Sequence, residues 1–183
     1  IGDDQLWMVF MCCSDTLSPK NRITLILKTL CGFSVPAIAR ALLTTESTIN
    51  KRLYRTRPGL EGVAFALSAP EALPAALETI HAVLYLLFNE GYLSTSEQPI
   101  SQEMCHEAMA LTKLLVDELT LSNSDTVALL ALMCLVVARL ESRLDTQGHL
   151  IPLDRQDRSR WDRQLINQGL EYLGRTAQME TVR

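Results

Sequence analysis

The sequence predicts an all-α protein, with a small helix-turn-helix domain followed by an antiparallel helical bundle. Three observations point there. Apolar residues recur at helical spacing, as in Ile23, Ile26, Leu27 and Leu30, or Met104, Ala108, Leu111 and Leu115. Capping and stop residues bracket those stripes, among them Ser18-Pro19, Gly32, Ser34, Thr45 and Gly91. Period-two patterning is limited to short pieces: Val63, Phe65 and Leu67, and the segment HLIPL at 149–153.

Taken in order, Asp3-Asp4 favour the start of a first helix through about Cys13. Ser18-Pro19 opens a second, to about Cys31, and Gly32 ends it. In 34–57 two short helices meet at a tight break. Ser34 suits the first N-cap and Pro36 its opening turn, while Val35, Ile38, Ala39 and Leu42 share one face. Thr45 caps the next helix, Glu46 suits its positive end, and Ile49 and Leu53 point inward. Leu43 occupies the turn, where a left-handed backbone costs a non-glycine residue about 1–2 kcal/mol.

Pro58-Gly59 breaks the second of these helices, and 58–73 reads as a linker between a first domain, 1–57, and a second, 74–183. The second domain begins with a helix from about Pro74 to Asn89, stopped by Gly91. Helices follow at 101–119 and 127–140, the latter apolar all round and expected at the centre. Ser159 with Asp162 forms a capping box for a last helix to about Thr176. Short connections between such helices fit a small bundle or the start of a helical solenoid.

Composition narrows the function. A chain of 183 residues, 48% apolar, holds one large or two small domains. It opens on Ile1, so a fragment is expected, and no signal peptide is visible. Its longest apolar run, 127–138, is twelve residues, too short to span a bilayer. The five cysteines (Cys12, Cys13, Cys31, Cys105, Cys134) lack C-x-x-C spacing and read as reduced, mostly core residues of a cytoplasmic protein. Residues 1–57 hold eight Lys/Arg against four Asp/Glu, whereas 58–183 hold nine against seventeen. Positive charge gathered around one helix pair in a mildly acidic chain is the footprint of a nucleic-acid module.

The expected DNA-contacting face carries Ser47, Thr48, Asn50, Lys51, Arg52, Tyr54, Arg55 and Arg57. Asn50, Lys51, Tyr54 and Arg55 are assigned to base edges, and Ser47, Thr48, Arg52 and Arg57 to phosphates. The alternative is an ordinary amphipathic helix with a solvated basic face. Lys20, Arg22 and Lys28 add positive charge nearby, as phosphate contacts or as solvated surface.

The run ITLILKTLCGFSVPAIARALLTTESTINKRLYRTR resembles region 4 of a sigma-70-type sigma factor of the extracytoplasmic-function class. The matching elements are G-F-S before the first helix, A-I-A-R within it, and E-x-T-x-x-x-R-L-x-R-x-R along the second. Further on, VLYLLFNEGY (83–92), the stretch at 105–108, LLALM (129–133) and DRQDRSRWDRQLI (154–166) resemble the subgroup with a TPR-like C-terminal extension. That resemblance implies a region 4 binding the promoter −35 element and the β flap of RNA polymerase core, with a regulatory helical extension. It also implies that region 2 is missing. A homodimer of the fragment is a further possibility. Other readings are a helical-repeat interaction scaffold, or a conventional repressor binding palindromic half-sites.

Catalytic chemistry is not apparent: there is no nucleophile elbow and no phosphate-cradling glycine loop. Glu78-x-x-His81 and Glu103-x-x-His106 have di-iron-like spacing but lack the further glutamates such a site needs, so no metal or cofactor is expected. Arg155, Arg158, Arg160 and Arg163 alternate with Asp154, Asp157 and Asp162. They read as a salt-bridged surface that orients the last helix, with Trp161 packed beneath.

Overall fold

The computed structural model describes residues 8–9, 13, 17–56, 72–93, 100–118 and 120–181. The described residues form helices and turns, with one isolated β-bridge between Leu144 and Leu150. The fold is all-α, as the periodicity requires. Two compact units divide between Glu90 and Gly91. The expected first helix and the linker fall largely outside the described residues.

In the first unit, α1 spans Pro19–Thr29, α2 Val35–Ala41 and α3 Glu46–Thr56, and α4 begins at Leu73. Ile26, Leu27, Ile38 and Ile49 are fully buried at its centre, with Phe33 and Ala39 beside them. Pro19 sits in the first turn of α1, where its missing N–H is harmless. Gly32 takes φ +69° just past that helix, a left-handed conformation glycine adopts without a side-chain clash. The Lys28 ammonium donates to the Phe33 carbonyl at 3.2 Å across the same corner.

Helix α4 runs through Tyr92, so Gly91 does not stop it. Gly91 serves close approach instead. A Cβ there would lie 2.7 Å from Met104 Cβ and 2.9 Å from the Ser101 carbonyl. Only a residue without a side chain lets the two backbones come so near.

The second unit contains α5 (Gln102–Asp117), α6 (Ser124–Val137) and α7 (Arg163–Thr181), with short 3-10 turns at Leu140–Ser142, Leu153–Arg155 and Arg158–Arg160. Ser101 caps α5 by accepting the Met104 N–H at 3.3 Å, and Asn123 caps α6 by accepting that of Thr126 at 2.8 Å. Helix α6 is central, packing on both α5 and α7, though Leu132 faces solvent on one side. Val116, Val127, Leu130 and Cys134 form a buried cluster against which Met109, Leu165, Tyr172 and Met179 pack.

The start of α7 corrects the sequence reading. Asp162, not Ser159, is the cap, its Oδ1 accepting the N–H groups of Gln164 at 2.8 Å and Leu165 at 3.0 Å. Ser159 belongs to the preceding 3-10 turn and is held by Asp157. The expected salt-bridged surface is likewise absent among the described residues. Asp157 and Asp162 accept backbone N–H groups, which sit nearer than the flexible arginine heads and cost less entropy to engage. These bonds, with that from the Ser159 hydroxyl first, hold the Asp157 carboxyl below its ordinary range. Trp161 is anchored as expected, its Nε1–H donating to Ser142 Oγ at 2.8 Å while Arg158 lies over its ring.

Candidate nucleic-acid interface

The helix pair α2–α3 is built by its caps and its turn. Ser34 Oγ accepts the Ala37 N–H at 3.3 Å, and Pro36 lies in the first turn of α2. The exit is a Schellman arrangement: Leu43 N–H donates to Arg40 O at 3.1 Å and Thr44 N–H to Ala39 O at 2.9 Å. Leu43 takes the left-handed position at φ +48°, with its side chain 95% exposed. Thr45 Oγ1 then accepts the Thr48 N–H at 3.2 Å and starts α3, with Glu46 in the first turn. Small Ala39 and fully buried Ile38 and Ile49 fill the inner side of the pair, while Leu53 is only half-buried.

The opposite face of α3 divides the expected contact residues. Ser47, Asn50, Lys51, Tyr54 and Arg55 are exposed and together line one solvent-open depression. Their spacing places them on adjacent rows of the helix surface. Thr48 and Arg52 are half-buried on the flank, and the Thr48 hydroxyl already pairs with that of Thr45 at 2.9 Å. Arg57 lies outside the described residues.

Arg22 is a correction. It is buried to 6% exposure within α1, so it is neither solvated surface nor a phosphate contact. Lys20 and Lys28 are exposed.

Two polar constellations had no sequence signal. Arg40, at the end of α2, pairs with Glu90 of α4 at 2.8 Å, fifty residues away. In the second unit Arg143 lies 3.6 Å from the ring centroid of Tyr92 and donates to its carbonyl, while Arg139 donates to the Tyr92 hydroxyl. The arginines that pack Tyr92 come from a turn that periodicity does not register. Burial pushes the nearby Cys105 thiol up to about 11, against a smaller opposing effect of Arg143. His81 is half-buried and His106 exposed, and among the described residues no three His, Cys, Asp or Glu side chains converge on a metal position.

Comparison with known proteins finds two matched segments. Residues 76–177, more than half of the chain, match a family of unknown function, DUF6596. The chain belongs to that family. Ahead of the DUF6596 segment, residues 7–57 match sigma-70 region 4. Region 4 is a non-enzymatic transcription-factor domain, and the match supports a sigma-factor-like DNA-binding role in transcription initiation. The chain is 32% identical over 174 residues to an uncharacterised protein of Rhizobium meliloti (strain 1021). That alignment covers 93% of this chain and 41% of the relative, so the chain spans about two fifths of its length. No solved structure matches. Among the described residues no helix is long and apolar enough to cross a membrane.

Proposed function

We propose that this chain is part of a cytoplasmic sigma factor of the extracytoplasmic-function class. In this reading its region 4 binds the −35 element and the β flap of RNA polymerase core, and its DUF6596 segment is a regulatory, TPR-like extension. The division into 1–57, a linker at 58–73 and 74–183 belongs to the same reading, and the ends of the two family matches favour it. The observation that carries the proposal is the outward face of α3. Five side chains (Ser47, Asn50, Lys51, Tyr54 and Arg55) share one open patch on a helix held from behind by buried Ile38 and Ile49.

Such a helix presents an amide for adenine, cations for guanine and a hydroxyl for phosphate at major-groove spacing. Arg52 and Thr48, on the flank of that face, serve as phosphate contacts, and Arg57 keeps the same assignment from the sequence. Titration of a −35-containing duplex against salt tests the proposal. Neutralising about four phosphates gives log K a slope near −3.6 on log salt, and Asn50→Ala relaxes preference at one base pair while leaving that slope alone. A slope near zero, or equal affinity for the promoter and a scrambled duplex, removes the reading.

A further inference from the structure

The patch on α3 holds one aromatic side chain among its polar ones. Tyr54 is 75% exposed, and among the described residues its hydroxyl has no hydrogen-bond partner. A tyrosine left so open on a helix has no packing role there, and its ring is the only large apolar surface the patch offers. The other lining residues already account for polar base edges. Asn50 suits an adenine, Lys51 and Arg55 suit guanine, and among the residues lining the patch there is no carboxylate to accept from cytosine. The feature that remains unread in a major groove is the thymine C5-methyl group, which takes apolar contact. Asn50 and Tyr54 are four positions apart, about 6 Å along the helix axis, on one row of its surface.

We infer that Tyr54 is a specificity residue that reads a thymine methyl group through its ring, near the pair contacted by Asn50. This rests on the promoter-binding reading and adds a base identity to it. The rival role for an exposed tyrosine is a hydroxyl-to-phosphate bond, which positions the protein and reads no base.

The test uses the full 183-residue chain and a duplex it selects from a randomised library, with uracil then substituted for thymine at one position at a time. Affinity is read by fluorescence anisotropy at fixed salt. One uracil position weakens binding by about three- to five-fold, the scale of burying one methyl group. That sensitivity persists in Tyr54→Phe and disappears in Tyr54→Ala, and both variants keep the parent's melting temperature. If Tyr54→Phe loses as much affinity as Tyr54→Ala, the hydroxyl acts and the inference falls. It falls equally if no uracil position matters or if Tyr54→Ala keeps the discrimination, while DNA binding itself survives. Failure to select any duplex overturns the promoter reading and takes this inference with it.

Discussion

Replacing Leu43 by glycine should make the helix pair more stable although it deletes a leucine. The side chain is 95% exposed, so its removal forfeits almost no burial. The backbone, at φ +48°, sits where an L-residue is strained by about 1–2 kcal/mol and glycine is not. Against this, glycine adds freedom to the unfolded chain, worth about 0.4–1 kcal/mol. The net expectation is stabilisation by roughly 0.5–1 kcal/mol. Leu43→Ala is the control, because alanine keeps the strained backbone and lacks the side chain. Urea unfolding of both variants measures the difference. With a slope of about 1–3 kcal/mol per molar, glycine should raise the midpoint by a few tenths of a molar over alanine. DNA affinity should not change, since Leu43 does not line the α3 patch. A glycine variant equal to or weaker than alanine would refute the claim that the turn is strained.

Gly91→Ala should destabilise by about 1–3 kcal/mol despite better helix propensity, because the new Cβ meets Met104 Cβ at 2.7 Å. A thermal melt unchanged from the parent would mean the helices do not approach so closely. Asp162→Ala should cost about 1 kcal/mol as a lost N-cap whereas Ser159→Ala stays within about 0.5, and equal effects in urea titrations would reassign the cap. For Cys105 the folded thiol is raised to about 11 from 9.0, so the stability linked to its proton is complete below pH 9. It is lost as pH climbs from 9 towards 11, by roughly 2–3 kcal/mol in all. Melting curves across that range should fall more steeply for the parent than for Cys105→Ala; parallel curves would exclude the thiol.

Much of the helix pair was legible in the sequence because its determinants are local. Ser34, Thr45, Pro36 and Glu46 act within one turn, and Ile38 and Ile49 follow the helical period that marks an inner face. Leu43 was legible even in its strain, since the turn geometry is imposed by the two helices it joins. The misreadings share a cause. Gly91 follows an apolar stripe and looks like a stop, but its role is set by the start of another helix ten residues on. Ser159 and Asp162 are both good caps, and the choice fell to the one whose neighbour, Trp161, is tied down to Ser142. The alternating arginines and aspartates suggested ion pairs, yet nearby backbone N–H groups competed better for the carboxylates. Of the candidate interface, five residues form the open patch; that Thr48 would spend its hydroxyl on Thr45 depends on a rotamer no residue pattern states.

Ancestry and folding draw their borders differently in this molecule. The DUF6596 match opens at residue 76, yet the compact body that holds the helix-turn-helix closes only at Glu90. The Cys13 thiol reaches the Ala76 carbonyl, and the Arg40 guanidinium reaches the Glu90 carboxylate. Someone grafting this helix-turn-helix head onto another protein would do best to cut after α4. A cut made where the sequence families meet would leave the head without the helix it leans on.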